Sequence, residues 1–303
     1  MFASGLCLGS RYGDIQQDCI AIVAPENSPK SLYIVADGHG ILGERASQIT
    51  CDTIKSLFNK ALQTKQRFDK KWMTHAFKVS HSNVLAEYDK LPTRTKYPVS
   101  GKMETLSLEY LKVMDVHVYK RKSFIRPAEF GCTCTCVIMD KSNRTATIGY
   151  VGDSTTSVVQ SGDDDQLVLQ KITADHNAKN PREVSRITKE FSATFTRDGY
   201  LAPSPKKHKG MQVQTTRAIG HKILSQYGVV PEPEFRSHWC SDNDIFLLIA
   251  SDGLWDYSDK VDITGILRDG EDITESAEMI KEELDTLAGL ETTDNGSFII
   301  VKI

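Results

Sequence analysis

Four strand-like runs of this sequence are each followed directly by an aspartate. The aspartates are Asp37 after residues 33–36, Asp153 after 148–152, Asp252 after 248–251 and Asp294 after 291–293. Side chains at strand ends are held on a rigid scaffold, and carboxylates that meet at one point repel one another unless a cation neutralises them. The pattern therefore predicts a metal site built from separate parts of the chain, with ordinary turn aspartates as the alternative.

Carboxylate ligands restrict which metals fit such a site. Oxygen donors favour Mg²⁺, Mn²⁺ or Ca²⁺, whereas zinc prefers histidine and cysteine. Two such cations about 4 Å apart can activate a bridging water and hold the attacking and leaving oxygens of a phosphoryl group. The pattern thus favours phosphoryl hydrolysis. A calcium-binding structural protein would need alternating acids within one loop, and the sequence contains no such run.

Asp37 opens the segment Asp37-Gly38-His39-Gly40, in which two glycines flank a histidine. Glycine permits a tight backbone, so the Gly38 carbonyl can also face a metal. His39 would lie close to the metal ligands, and a group that titrates near neutrality suits a general acid that protonates a leaving alkoxide. An ordinary surface or core histidine is the alternative.

The apolar pattern predicts both strands and helices. Apolar, β-branched runs of strand length lie at residues 19–24, 31–36, 132–139, 145–151, 167–173, 244–250 and 297–303. Apolar residues at three- and four-residue spacing predict helices at 43–65, 70–91, 260–267 and 271–288. Because strands and helices come in blocks rather than in strict alternation, we predict an α+β layered fold with antiparallel sheets. A doubly wound parallel sheet fits this order poorly.

Two polar segments interrupt these elements. Residues 92–127 are basic and contain prolines at both ends and at Pro98, which predicts a surface insertion with a short helix of its own. Residues 177–210 mix lysines with prolines and are predicted to form a compact flap rather than a domain. The run Asp163-Asp164-Asp165 predicts a solvated hairpin tip.

Composition argues against several functions and compartments. A net charge of −3 offers no basic field for a phosphate backbone, so nucleic acid is not an expected partner. The longest apolar runs, such as residues 245–250, are far shorter than the roughly 20 residues that span a bilayer. The first residues lack a secretory signal, so we expect an intracellular protein, cytoplasmic or nuclear. The seven cysteines, three of them alternating at positions 132, 134 and 136, are expected to form no disulfide.

Seven short motifs occur in a defined order along the chain. They are Asp37-Gly38-His39-Gly40, Gly131-Cys132-Thr133, Val151-Gly152-Asp153-Ser154, Ala174-Asp175-His176, Thr216-Arg217-Ala218-Ile219-Gly220, Ala250-Ser251-Asp252-Gly253-Leu254-Trp255-Asp256 and Asp294-Asn295. In this order they resemble the signatures of the protein phosphatase 2C (metal-dependent protein phosphatase) family across nearly the whole chain. Each motif alone is weak, and their order makes the resemblance specific.

The resemblance implies a sandwich of two antiparallel sheets flanked by helix pairs, in one catalytic domain spanning residues 1–303, with a pair of Mn²⁺ or Mg²⁺ ions at one end. It implies that Asp37 bridges both cations and that the Gly38 carbonyl binds one of them. Asp252 and Asp294 are implied ligands of the other cation. Asp18 is similar to the acidic residue on the family's first strand that holds metal-bound water.

A weaker third metal is also implied, because Asp153 and Asp256, together with Asp252, resemble its carboxylate ligands. For Asp256 a helix N-cap is the alternative. The implied reaction is direct attack of a metal-bridging hydroxide on a phosphoserine or phosphothreonine monoester, without a phosphoenzyme, with His39 as the proton donor. Phosphorylated proteins are the implied substrates of an enzyme that we expect to be monomeric. Ca²⁺ is expected to occupy the same positions with little turnover.

Two positions depart from the family's pattern. Gly13 stands where the family commonly carries a phosphate-binding arginine, and Arg11 is the nearest candidate for that role. Arg217 and the flap lysines Lys206 and Lys207 are further candidates if Arg11 does not reach the phosphate.

His221 stands where the family usually carries an aspartate. We expect this histidine, like His176, to pack or hydrogen-bond rather than to bind metal. The displaced arginine leaves a rival hypothesis open, in which the chain is a pseudophosphatase that serves as a binding module. The intact Asp37, Asp252 and Asp294 favour an enzyme.

Overall fold

The computed structural model describes residues 1–162, 166–204, 208, 210–270 and 272–303. Two antiparallel sheets pack face to face, and helices cover the outer face of each sheet. This is the predicted α+β arrangement of four layers, α/β/β/α. The predictions for Asp163, Asp164 and Asp165, and for Lys206 and Lys207, fall outside the described residues.

The first sheet has the strand order β1-β18-β17-β11-β12. Its strands are β1 (Phe2–Cys7), β11 (Thr155–Ser161), β12 (Leu167–Lys171), β17 (Asp244–Ala250) and β18 (Gly296–Lys302). The second sheet has the order β15-β8-β3-β9-β10-β16, with β2 paired to β3. Its strands are β2 (Asp18–Val23), β3 (Lys30–Gly40), β8 (Phe130–Cys132), β9 (Cys134–Asp140), β10 (Thr145–Val151), β15 (Ile219–Gly220) and β16 (Glu234–Trp239).

The central strands are apolar on both faces because both faces are covered. On β3, Leu32 and Ile34 pack towards helices α1 (Gly43–Gln63) and α2 (Lys70–Ala86). Tyr33 and Val35 point the other way, into the core between the two sheets. Successive residues of a strand face opposite sides, so an unbroken apolar run fits a strand buried on both faces.

The outer face of the first sheet is covered by α4 (Asp252–Trp255), α5 (Ile263–Asp269) and α6 (Ile273–Leu290). Helix α5 begins later than predicted because the Asp262 side chain caps it, accepting a hydrogen bond from Gly265 N at 2.9 Å. Helix α2 ends at Ala86 and continues only as a 3-10 turn over Glu87–Lys90.

Residues 92–127 contain no helix, so that prediction is wrong. The segment forms an antiparallel sheet of β4 (Arg94–Val99), β5 (Lys102–Leu111), β6 (Val116–Arg121) and β7 (Phe124–Pro127), which we call the insertion sheet. Its apolar residues alternate: Leu106 and Tyr119 enter the core beneath α1 and α2, whereas Val116 and Val118 face the flap. Apolar residues at every second position share one face of a strand, whereas on a helix the same spacing would scatter them around the axis. The segment is therefore an integral wall of the fold rather than a surface excursion.

The flap contains α3 (Pro181–Glu190), β13 (Ala193–Phe195) and β14 (Leu201–Pro203). Its own hydrophobic cluster joins Ile187, Leu201 and Met211 to Val118 of the insertion sheet. The flap and the insertion sheet therefore share one small core beside the main sandwich.

All seven cysteines lie in the described residues and none is joined to another, as predicted. Cys132, Cys134 and Cys136 are fully buried in a single hydrophobic cluster, which confirms that the three thiols share one face. Among the helices of the described residues, none combines the length and apolar composition needed to cross a membrane.

Candidate functional site

Asp37 lies at a change of partner within β3 rather than at the end of the strand. Residues up to Val35 pair with β9, and residues from Gly38 onward pair with β8. Between these two ladders, Thr133 N donates to the Asp37 carbonyl at 2.8 Å, and Asp37 N donates to Thr133 Oγ1 at 3.1 Å. The prediction that this strand stops before Asp37 is therefore wrong. Such an irregularity re-aims a side chain out of the regular sheet.

Three of the predicted aspartates converge. Each of Asp37, Asp153 and Asp252 offers a carboxylate oxygen, and these oxygens lie within 4.8 Å of one another. Asp37 and Asp153 come from β3 and the end of β10 in one sheet, whereas Asp252 follows β17 in the other. The turn into Asp153 depends on Gly152, whose φ is +94° and whose missing Cβ would lie 2.5 Å from the Thr133 side chain. The cluster thus bridges the two sheets at one end of the sandwich.

Asp18 and Asp294 flank this cluster. Asp18 lies opposite Asp37 in the β2–β3 ladder and is buried. Its Oδ2 accepts a hydrogen bond from Ser251 Oγ at 2.7 Å, whereas its Oδ1 has no partner. Asp294 precedes β18, lines the same cavity as Asp37 and forms an ion pair with Arg11. The structure therefore brings Arg11 to the site despite the glycine at the usual arginine position.

Burial and mutual repulsion raise the carboxyl pKa values of this cluster. Burial raises the pKa of Asp18 to about 7, and burial with the nearby Asp175 raises the pKa of Asp153 to about 7. Burial and neighbouring carboxylates raise the pKa of Asp37 and Asp252 well above their usual range. The buried Oδ1 of Asp252 also has no hydrogen-bond partner. A divalent cation would satisfy these oxygens and stabilise their ionised form, so the donor set fits a hard metal ion.

His39 lines the same cavity and stacks on His221, with ring centroids 4.7 Å apart and an angle of 27° between the planes. Burial lowers the pKa of each imidazole to about 3. Oε1 of Glu129 lies 3.7 Å from His221 Nδ1. His176 accepts a hydrogen bond from Gly152 N at 3.2 Å. Both histidines therefore pack or hydrogen-bond, as predicted.

Two other predicted residues lie apart from the cluster. Asp256 is exposed at the carboxyl end of α4, and its backbone N–H donates to the Asp252 carbonyl at 2.7 Å. Its alternative role as a helix N-cap is wrong, because Asp262 caps the next helix. Arg217 does not line the cavity; it donates to Glu183 at 2.7 Å and to the Glu232 carbonyl at 3.1 Å.

Sequence reasoning missed several residues of the cavity, which has a volume of about 400 Å³. Tyr97 and Arg126 of the insertion sheet, Glu129 next to it, and Met211 beyond the flap all line it. Arg126 and Glu129 lie shortly before the predicted strand at 132–139, and this nearness was the sequence feature that could have indicated them as cavity residues. Which way their side chains point depends on the register of the insertion sheet, which no local pattern revealed.

Comparison with known proteins places the chain in a family. The model of the family described as protein phosphatase 2C matches residues 66–296, well over half of the chain, so this chain belongs to the protein phosphatase 2C family. Asp18, Asp37 and His39 precede the matched segment.

Plant relatives are similar at low identity. The chain is 25% identical over 246 residues to the Arabidopsis thaliana protein named "Probable protein phosphatase 2C 52", covering 77% of this chain and 50% of that protein. It is 27% identical over 140 residues to "Probable protein phosphatase 2C 12" of Oryza sativa subsp. japonica, covering 45% of this chain and 36% of that protein. The chain spans half or less of the length of these relatives.

Solved structures show the same fold. Serine-threonine phosphatase 2C from Toxoplasma gondii superposes with a TM-score of 0.71 at 16% identity, covering 99% of this chain and 94% of that one. A C. elegans sex determining protein superposes with a TM-score of 0.70 at 17% identity, covering all of this chain and 64% of that one. At these identities the likeness establishes the fold alone.

Proposed function

We propose that this chain is a protein serine/threonine phosphatase that depends on divalent cations. The observation that carries the proposal is the convergence of Asp37, Asp153 and Asp252 from two different sheets, in a cavity that also contains His39. Partly buried carboxylates without a counter-charge are costly, so their gathering points to cation binding rather than to structural stability.

The proposed ligand roles are those that the family resemblance implies, and the convergence of Asp37, Asp153 and Asp252 supports them. Asp37, the Gly38 carbonyl, Asp252 and Asp294 would hold two Mn²⁺ or Mg²⁺ ions, with Asp18 supporting them through water. Asp153 and Asp252 would hold a weaker third ion with Asp256, whose side chain would have to turn inward. When bound, the cations supply activation of water and neutralise charge on the phosphoryl group.

The remaining steps belong to this chain's own side chains. His39 would donate a proton to the leaving serine or threonine alkoxide. Its pKa of about 3 reflects a buried site without substrate, and a phosphoryl dianion beside it would favour the protonated form. Arg11, at the edge of the cavity, would hold a phosphoryl oxygen. We further propose direct hydrolysis without a phosphoenzyme, by a single monomeric catalytic domain acting on phosphorylated proteins.

Initial rates on a phosphothreonine peptide and on p-nitrophenyl phosphate test this proposal. We expect turnover with Mn²⁺ or Mg²⁺, little with Ca²⁺ and none with EDTA. Asp37→Asn and Asp252→Asn should each abolish turnover and weaken Mn²⁺ binding, because each removes one formal charge from the cation site. Asp242→Asn, at an exposed ion pair away from the cavity, is the matched control. A wild-type chain that binds Mn²⁺ and the peptide without turnover would instead be a pseudophosphatase.

A further inference from the structure

The insertion sheet supplies one wall of the cavity. Tyr97 on β4 and Phe124 and Arg126 on β7 share one face of this sheet, and Tyr97 and Arg126 both line the cavity. The Arg126 guanidinium lies 5.7 Å from the centroid of the Phe124 ring, which orients it. The segment that the sequence set aside as a surface insertion therefore faces the carboxylate cluster.

A row of aromatic rings joins Arg126 to the other arginine of the cavity. The ring of Phe124 lies 6.2 Å from that of Tyr97, and Tyr97 lies 6.4 Å from Tyr12, the neighbour of Arg11. Arg11 and Arg126 thus lie at opposite ends of the row. Arg11 is held at the cation site by its ion pair with Asp294, whereas Arg126 lines the cavity from the insertion sheet.

Of the two arginines that line the cavity in the described residues, Arg11 pairs with Asp294 and Arg126 has no acidic partner. On the same sheet Arg121 pairs with Glu104, and Lys120 pairs with Glu109 at 3.3 Å. Within the part of the chain that the structure describes, no carboxylate lies within ion-pair distance of Arg126, and its side chain is exposed. An exposed guanidinium oriented by an aromatic ring is suited to an external carboxylate or phosphate.

The insertion sheet also explains the glycine at position 13. Gly13 has a φ of +61°, and a Cβ there would lie 3.1 Å from the sulfur of Met103 on β5. A side chain at this position would be strained and crowded. The arginine side chains of the cavity come instead from Arg11 and from Arg126 of the insertion sheet. Residues 92–127 contain eight Lys and Arg against three Asp and Glu, a net +5 in a chain of net −3, which leaves −8 for the rest.

We infer that Arg126 forms a subsite for an acidic group that flanks the phosphorylated residue of the substrate, either a carboxylate side chain or a second phosphate. This inference rests on the proposed phosphatase function. The subsite is distinct from the place of the reacting phosphoryl group, because Arg126 packs on Phe124 and forms no ion pair with a described carboxylate, whereas Arg11 is held at Asp294. The enzyme accordingly selects acidic phosphopeptides.

Phosphothreonine peptides of one length test the subsite. They carry Ala, Lys or Asp next to the phosphothreonine, with Asp on either side of it, and one peptide carries a second phosphothreonine. We expect kcat/KM for an acidic peptide to exceed that for the Ala peptide about fivefold in the wild type. Arg126→Ala should abolish this ratio, and Arg126→Glu should favour the Lys peptide. Arg94→Ala, an exposed arginine of the same sheet outside the cavity, should keep the ratio.

The outcomes separate the subsite from the proposed function. Wild-type turnover of p-nitrophenyl phosphate with Mn²⁺ tests the function alone. If turnover is absent, the same ratios are measured as peptide affinities by fluorescence anisotropy. A wild type without preference for either acidic group, or an Arg126→Ala variant that keeps the preference, overturns the subsite. If Arg126→Ala lowers kcat/KM equally for the acidic peptides, the Ala peptide and p-nitrophenyl phosphate, the subsite is also overturned, because Arg126 would then bind the reacting group. A preference for the doubly phosphorylated peptide alone supports the subsite and identifies its ligand as phosphate.

Discussion

His39 and His221 form a stacked pair in which only one ring has a predicted chemical role. The family usually carries a carboxylate where this chain has His221, and here the nearest carboxylate to that ring is Glu129, 3.7 Å from its Nδ1. His221 adopts a left-handed backbone with φ of +59°, and Gly131 leaves room for its ring. Burial raises the pKa of the Glu129 carboxyl to about 7, so this group is only partly ionised at neutral pH.

Replacing His39 by glutamine tests its role as proton donor. We expect His39→Gln to lower kcat about 10²-fold on a phosphothreonine peptide and far less on p-nitrophenyl phosphate. The aryl oxide leaves without a proton, so it does not need the acid. Steady-state rates of both substrates at saturating Mn²⁺ provide the measurement. Equal losses on the two substrates would assign His39 a structural or water-positioning role.

Arg11 is the second residue whose role a substitution can decide. Its ion pair with Asp294 brings it to the cavity, so Arg11→Ala should raise KM and the inhibition constant for inorganic phosphate roughly tenfold. Arg94→Ala, outside the cavity, provides the matched control. Unchanged phosphate inhibition in Arg11→Ala would reject this role.

At the scale of elements, Glu183 anchors the flap helix α3. Its Oε1 accepts from Arg217 Nη2 and its Oε2 from Arg186 Nη2, both at 2.7 Å, and Thr216 Oγ1 donates to Oε2 at 2.8 Å. Burial alone would raise the pKa of Glu183, but hydrogen bonds from these arginines and from Thr216 outweigh it and lower the pKa to about 2. One buried carboxylate therefore ties α3 to the segment that precedes β15.

Glu183→Gln should lower the free energy of unfolding by about 2 to 3 kcal/mol at neutral pH, because it removes the buried carboxylate that pairs with two partly buried arginines. The folded pKa lies below the usual 4.5, so the wild type has this stability above pH 4.5 and loses it as the pH falls towards 2. Urea unfolding at pH 7 and at pH 3 measures the difference. Glu190→Gln, an exposed residue of the same helix, is the control. Equal stability of Glu183→Gln and wild type at pH 7 would contradict the anchoring role.

At the scale of the whole molecule, the carboxylate cluster joins the two sheets and sets their response to pH. Without cations, Asp18 and Asp153 have folded pKa values of about 7 against the usual 3.8. Their protonated forms therefore favour the folded state. The stability that they contribute is fully present below pH 3.8 and is lost as the pH rises through 7.

In EDTA we expect the free energy of unfolding to fall between pH 5 and pH 7, with a slope of up to about 1.4 kcal/mol per pH unit for each such carboxyl. Excess Mn²⁺ should abolish the fall, because a cation stabilises the ionised cluster. Urea unfolding across this range, with EDTA or Mn²⁺, is the measurement. Asp153→Asn should reduce the slope in EDTA, and a slope that is the same with and without Mn²⁺ would argue against cation binding at the cluster.

Prediction from the sequence succeeded for strands whose local apolar pattern matches their burial. Strands β10 and β17 have the predicted bounds, because their apolar runs are buried on both faces and end at turns. It failed for the insertion sheet, where prolines and charges obscured a period-two pattern. It also failed at Asp37, because a strand that changes partner shows no break in its own sequence.

The sequence by itself determined the α+β class, the acidic residues at turns and strand irregularities, and the order of motifs that marks the family. Only the tertiary structure decided which of these residues meet. Asp153 and Asp252 converge because two sheets pack in one alignment, His221 reaches His39 across more than 180 residues of chain, and Arg126 faces the cavity through the register of the insertion sheet. Such contacts depend on pairing and packing between distant segments, and local propensity does not specify which segments pair.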